Sequence, residues 1–149
     1  MVRILVLHGP NLDAMGTREP DIYGHATLAD IDQRLRSLGG ELQVEVECLQ
    51  TNHEGVLIDA LHQARGRSDG VLLNAGGLTH TSVALRDAVL ATGLPVVEVH
   101  VSNPQARDGF RQRSLISGAA LAVVQGFGAD SYLLALRGLA ARLADGVRA

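Results

Sequence analysis

The feature that most constrains this chain is a repeated alternation between short apolar, strand-like runs and segments of helical period. Arg3–His8 (RILVLH) reads as a first buried strand. From Thr27 the spacing of Leu28, Ile31, Leu35 and Leu38 is helical, with Thr27 as N-cap, Asp30 at the capping-box position and Gly39-Gly40 as the expected end. Leu42–Leu49 (LQVEVECL) alternates apolar and polar residues, the pattern of a half-covered edge strand. A second helix carries Leu57, Ile58, Leu61 and Ala64. Gly70–Asn74 (GVLLN) is a short apolar strand, followed by a helix around Val83, Ala84, Ala88 and Val89. Val96–His100 (VVEVH) and Leu121–Val124 (LAVV) are the fourth and fifth strands, and Tyr132, Leu133, Leu136, Leu139, Ala140 and Leu143 share one face of a last helix.

Strands joined by crossovers of helical length form a parallel sheet covered on both faces. The expected fold is therefore α/β, a three-layer sandwich with a five-stranded sheet in the flavodoxin-like order 2-1-3-4-5. No repeat, low-complexity tract or linker interrupts the pattern, so residues 1–149 are expected to form a single domain. A hydrophobic content of 46% is enough for a real core.

Composition removes several functions. The net charge is −3 with no basic run, which speaks against nucleic acid. No apolar stretch approaches the ~18 residues of a membrane span, and the first apolar run soon enters a polar turn, unlike a signal peptide. Cys48 is the single cysteine, so neither an internal disulfide nor a thiolate-rich metal site is expected, and a reducing cytoplasm is the simplest home. All 13 basic residues are arginine. Without lysine there is no Schiff-base catalysis, no pyridoxal phosphate anchor and no P-loop.

In such sheets ligands bind beyond the carboxyl ends of the strands. Those positions here hold His8-Gly9-Pro10-Asn11, then Gln50-Thr51-Asn52-His53-Glu54, Asn74-Ala75-Gly76-Gly77, Thr79-His80-Thr81-Ser82, and Glu98 through Asn103 with Arg107 and Arg111 further on. Such clustering favours an enzyme over an inert scaffold. Taken singly, the residues are less telling. A lone Tyr23 is usually packing, a lone Arg18 a surface residue, and Asn11, Asn52 and Asn74 can tie turns, which is the preferred role of Asn52. His25, His53 and His62 have no pattern that raises them above surface or capping roles. Glu98 and His100 lie two apart on one strand face, where the carboxylate can orient the ring. Neither GxGxxG nor H-E-x-x-H occurs, and no G-x-S-x-G forms a nucleophile elbow between a strand and a helix, so no dinucleotide, metal or serine-nucleophile site is expected.

Taken together, the segments resemble type II 3-dehydroquinate dehydratase, a shikimate-pathway enzyme family. The matching stretches are GPNL at 9–12, GTREP at 16–20, IYG at 22–24, NHEG at 52–55, NAGGLTHTSVALRDA at 74–88, VEVHVSN at 97–103, AR and FR within 106–111, and GFGADSYLLAL at 126–136. The chain departs from the family's commoner residues at His8, Asp13-Ala14, Pro104-Gln105, Arg113, Leu115 and Gly118. None of these is a position expected to carry chemistry.

The resemblance implies anti elimination of water through an enolate, with no cofactor and no metal, on the way to chorismate and the aromatic amino acids. Tyr23 matches the general base and Arg18 the charge that favours its phenolate, since a free tyrosine has a pKa of ~10. His100 matches the acid for the departing hydroxyl, Glu98 the group that holds it, and Asn11 the residue that holds a water or the enolate oxygen. Asn74, His80, Arg111 and the Val101-Ser102 pair match substrate-binding positions, and Arg107 a charge-network residue beside them. The loop from Gly16 to His25 is expected to close over the substrate. Asp87 matches a residue presented by a neighbouring subunit, in a dodecamer of four trimers. The competing reading is a non-catalytic flavodoxin-like phosphate or nucleotide binder or scaffold. It lacks a phosphate loop after the first strand.

Overall fold

The computed structural model describes residues 1–17, 21 and 25–146. Five strands, β1 (Val2–His8), β2 (Val44–Gln50), β3 (Gly70–Asn74), β4 (Val96–His100) and β5 (Ala122–Gln125), pair in parallel in the order β2-β1-β3-β4-β5. Among the described residues four α-helices cover them: α1 (Leu28–Leu42), α2 (Glu54–Ala64), α3 (Val83–Thr92) and α4 (Asp130–Ala144). The class follows the alternation in the sequence, and the strand order is the one expected of a flavodoxin-like sheet.

Side chains that alternate along each strand divide the core in two. Ile4, Val6, Leu72, Val97 and Val99 meet Ile31 and Leu35 of α1 and Tyr132, Leu136 and Leu139 of α4. Leu5, Leu7, Val71, Leu73 and Val96 meet Leu57 and Leu61 of α2 and Leu85 and Val89 of α3. Strand β2 is the half-covered edge that its pattern predicts, with Glu45, Glu47 and Leu49 exposed and Val44, Val46 and Cys48 turned inward.

The junction of α1 and β2 differs from expectation, and β2 begins at Val44 because Leu42 still belongs to the helix. Helix α1 does not stop at Gly39-Gly40 but continues to Leu42 and closes at Gln43, whose left-handed backbone has φ 59°. Gly39 stays helical because it is buried against β2, where a Cβ would lie 2.8 Å from Val46 Cγ2 and 2.9 Å from the Val44 carbonyl oxygen. The glycine answers a need for space, and the turn residue is Gln43. The capping box of Thr27 and Asp30 forms as expected.

The ends of β1 and β3 are held by main chain. The Gly9 N–H donates to the Asn74 carbonyl at 2.7 Å. A Cβ on Gly9 would sit 2.7 Å from the Ala75 carbonyl, and one on Gly76 would sit 2.8 Å from the Pro10 carbonyl oxygen. Gly76 also has φ 58°, a left-handed conformation that glycine adopts without steric cost. The two turns therefore touch backbone to backbone.

Candidate active site

A cavity opens above this contact, at the carboxyl ends of β1, β3 and β4. Its floor is Pro10, Asn11, Leu12, Asn74, Gly76 and Gly77; its walls are His80, His100, Val101, Ser102, Pro104, Arg107 and Arg111. The fold thus brings together Asn11, Asn74, His80, His100, Val101, Ser102 and Arg111, all expected from the sequence, together with Arg107. Glu98 lies directly behind His100. Asp87 does not line the cavity and is exposed on α3. Arg18 and Tyr23 lie outside the described residues. Of their loop, Asp21 and His25 border an adjoining hollow that shares Val101, Ser102 and Arg107 with the cavity.

Each side chain has a local reason for its place. Asn11 follows the β1 turn in a left-handed conformation, φ 71°, which asparagine tolerates better than most residues. Its N–H donates to Asn52 Oδ1 at 2.9 Å, and Asn52 Oδ1 also accepts from Gln50 Nε2 at 3.1 Å. Asn52 is therefore a turn-tying residue, the role preferred from sequence. His80 ends a 3-10 turn, Gly76–His80, and its Nδ1 is 2.7 Å from the Arg113 carbonyl oxygen. That bond makes Nδ1 the donor and leaves Nε2 as an acceptor for a ligand hydroxyl. Ser82, which offered no activation signature, caps α3 by accepting from the Leu85 N–H and donates to Glu54 at 2.5 Å.

The strongest electrostatic feature is the Glu98–His100 pair on β4. Both residues are buried, and His100 Nε2 is in a short hydrogen bond with Glu98 Oε2. Ser117 Oγ donates to Glu98 Oε1 at 2.5 Å, and Ser114 Oγ donates to Oε2 at 2.9 Å. Burial opposes the charge on Glu98, but the bonds from His100, Ser117 and Ser114 outweigh it and hold the carboxyl below its usual range. An ionised Glu98 fixes Nε2–H and leaves Nδ1 as the ring nitrogen available to the cavity. Ser114 and Ser117 carried no chemical signal in the sequence, because they reach Glu98 from 16 and 19 residues away through an irregular segment.

Arg111 supplies positive charge at the wall. Its guanidinium stacks over Phe110, 5.0 Å from the ring centroid. Nε is buried and has no hydrogen-bond partner among the described residues; Asp108 Oδ2 is 3.8 Å away, too far to accept. An unpaired guanidinium donor in a cavity is suited to a carboxylate or hydroxyl ligand. Arg107 Nη1 reaches Ser102 Oγ at 3.4 Å.

Metal-ligating side chains gather once among the described residues: His8, Asp32 and Cys48 have ligand atoms within 4.8 Å of one another. They come from β1, α1 and β2 and could not be grouped from sequence spacing. His8 Nε2 is 2.7 Å from Asp32 Oδ1. Burial and the neighbouring Asp32 charge push the Cys48 thiol up to about 12, so it is a thiol here. The three groups satisfy one another.

With the geometry in view, the comparisons with known proteins agree. The family model described as dehydroquinase class II matches residues 2–140. The 3-dehydroquinate dehydratase of Gloeobacter violaceus is 58% identical over 139 residues, covering 93% of this chain and 87% of that protein. That of Desulforudis audaxviator is 57% identical over 136 residues, 91% of each chain. Among solved structures, the type II dehydroquinase from Propionibacterium acnes superposes with a TM-score of 0.91 at 40% identity, covering 95% of this chain and 97% of the other. A site built at the ends of β1, β3 and β4, a sheet ordered 2-1-3-4-5 and matches along nearly the full length lead to one conclusion: the chain belongs to the class II dehydroquinase family.

Proposed function

We propose that this chain removes water from 3-dehydroquinate to give 3-dehydroshikimate, by anti elimination through an enolate. The observation that carries the reading is the buried Glu98–His100 pair at a cavity that Arg111 also lines, its Nε without a hydrogen-bond partner among the described residues. The substrate is a hydroxylated ring acid with a ketone beside the carbon that loses its proton. Tyr23 is the base that takes this proton, and Arg18 supplies the positive charge that favours its phenolate. The electron pair passes into the enolate, whose oxygen Asn11 holds directly or through a water. His100, protonated and tethered through Nε2 to ionised Glu98, gives a proton from Nδ1 to the departing hydroxyl. Water leaves and the double bond forms.

Asn74, His80, Arg111 and the Val101-Ser102 pair hold the ring, its hydroxyls and its carboxylate. Asp21 and His25 border the hollow beside Ser102, which supports a loop from 16 to 25 that covers the bound ring. Asp87 completes the site of a neighbouring subunit in a dodecamer of four trimers. Val83, Asp87 and Leu90 share one exposed face of α3, which supports that use of the helix. The reaction belongs to aromatic amino acid biosynthesis in the cytoplasm.

The test is spectrophotometric. The purified protein, with no metal, flavin or nicotinamide added, is expected to convert 3-dehydroquinate to its conjugated enone, and to do so after exhaustive chelation. Activity that chelation abolishes and a metal restores would show the mechanism to be misassigned.

A further inference from the structure

Behind the cavity floor lies a second buried polar group that the proposed reaction does not use. Asn74 is the link. Its Oδ1 accepts the Gly76 N–H at 3.1 Å, and its Nδ2 donates to the Tyr132 hydroxyl at 3.0 Å. Tyr132 Oη is 2.9 Å from His8 Nδ1, and His8 Nε2 is 2.7 Å from Asp32 Oδ1. His8, Asn74 and Tyr132 are all buried, at 0%, 4% and 0% exposure, so each unmade bond would be costly.

The proton positions in this chain follow from one fixed donor. The Gly76 N–H can only donate, so Asn74 Oδ1 is the acceptor and the amide nitrogen must point to Tyr132. Tyr132 then accepts from Asn74, and its own hydrogen has one remaining partner among the described residues, His8 Nδ1. Burial pushes the Tyr132 pKa up, so the hydroxyl keeps that hydrogen. With Nδ1 accepting, the His8 proton is on Nε2 and goes to Asp32, which also accepts from the Cys48 thiol. The second hydrogen of Asn74 Nδ2 has no acceptor among the described residues, and Asn74 lines the cavity.

We propose that Asp32, His8 and Tyr132 are positioning residues that lock the Asn74 side-chain amide, with one nitrogen-bound hydrogen held back by Tyr132 and the other turned to the bound substrate. This rests on the reading of Asn74 as a substrate-binding group. Without the chain the Gly76 N–H would hold the amide by its oxygen end alone, and binding would bear the cost of ordering the nitrogen end. His8 is thereby tied to the site from behind Asn74.

Two measurements test it. The first is a cycle in kcat and KM over wild type, Tyr132→Phe, Asn74→Ala and the double variant. Tyr132→Phe should raise KM on the order of tenfold, the scale of losing a bond to a placed polar group, with a smaller change in kcat. On the Asn74→Ala background it should change KM no further, because no amide is left to aim. An unchanged KM in the single variant, or equal losses in both backgrounds, overturns the proposal. Should Tyr132→Phe not fold, His8→Leu and His8→Asn replace it: leucine removes the acceptor and should raise KM, whereas the asparagine oxygen can take the Tyr132 hydrogen and should restore much of it. Equal KM values for these two variants would also overturn it. The second measurement is the nitrogen-15 NMR signal of His8 in the wild type, assigned by its loss in His8→Asn. A protonated Nε2 and bare Nδ1 are expected, and a proton on Nδ1 overturns the chain whatever the turnover. A wild type with the expected tautomer but no dehydratase activity supports the chain and sinks only the functional reading.

Discussion

At the scale of single residues, the proposed chemistry divides between a proton acceptor and a buried donor pair. Tyr23→Phe keeps the ring and removes only the hydroxyl, so turnover should fall ~10²-fold or more, the usual size of a lost acid-base group. Inhibition by a ring-shaped carboxylate should change much less, because Asn74, His80, Ser102 and Arg111 are its proposed anchors. Arg18→Ala should move the ascending limb of the kcat/KM pH profile to higher pH, since the phenolate loses its compensating charge. An unmoved limb would assign the activation elsewhere. Glu98 makes a thermodynamic prediction. Its folded-state pKa lies below the unfolded value of about 4.5, so its contribution to stability is present above that value and is lost as pH falls through the depressed one. Glu98→Gln should therefore be less stable than wild type at neutral pH, with a gap in denaturation midpoint that narrows on acidification. A gap independent of pH would mean the pair is not ionised.

Helix α1 shows most plainly what packing adds to pattern. Gly40 is exposed and has nothing within 4 Å of a built Cβ, whereas Gly39 faces the side chain of Val46 and the Val44 carbonyl. Gly40→Ala should accordingly stabilise the fold by about 1 kcal/mol through helix propensity. Gly39→Ala should destabilise it, and thermal melts of the two variants should shift in opposite directions; a common direction would count against the close contact. Apolar periodicity made the strands and the helix faces legible, because that pattern decides which surface leaves water; the sheet order came from the habits of parallel α/β folds and not from any residue. It placed the end of α1 at Gly39-Gly40, because a glycine used for clearance and a glycine used for a turn look alike until the neighbouring strand is known. The site divided the same way. Asn11, Asn74, His80, His100 and Arg111 could be gathered because the ends of parallel strands meet. Ser114, Ser117 and the Asp32–His8–Tyr132 contacts could not, since each joins segments whose approach only the folded chain decides.

For the whole molecule, the exposed face of α3 offers the sharpest test. Asp87→Ala should impair activity with the fold intact, and so should Tyr23→Phe. Mixed under conditions of demonstrated subunit exchange, the two should regain activity, because some sites then combine an intact tyrosine from one chain with an intact aspartate from another. No regain would mean that each site is built from one chain. A different consequence follows from the contact of the Gly9 and Gly76 turns. Beneath the cavity, two turns meet with no room for a side chain at 9 or 76, so the chain path there is fixed, whereas the side chains that line the cavity are a matter of residue choice. Sequence drift and laboratory redesign therefore have unequal freedom around one ligand. Positions 102, 107 and 111 can be varied to reshape what is held, while a library that varies 9 or 76 fills with chains whose first and third strands can no longer meet.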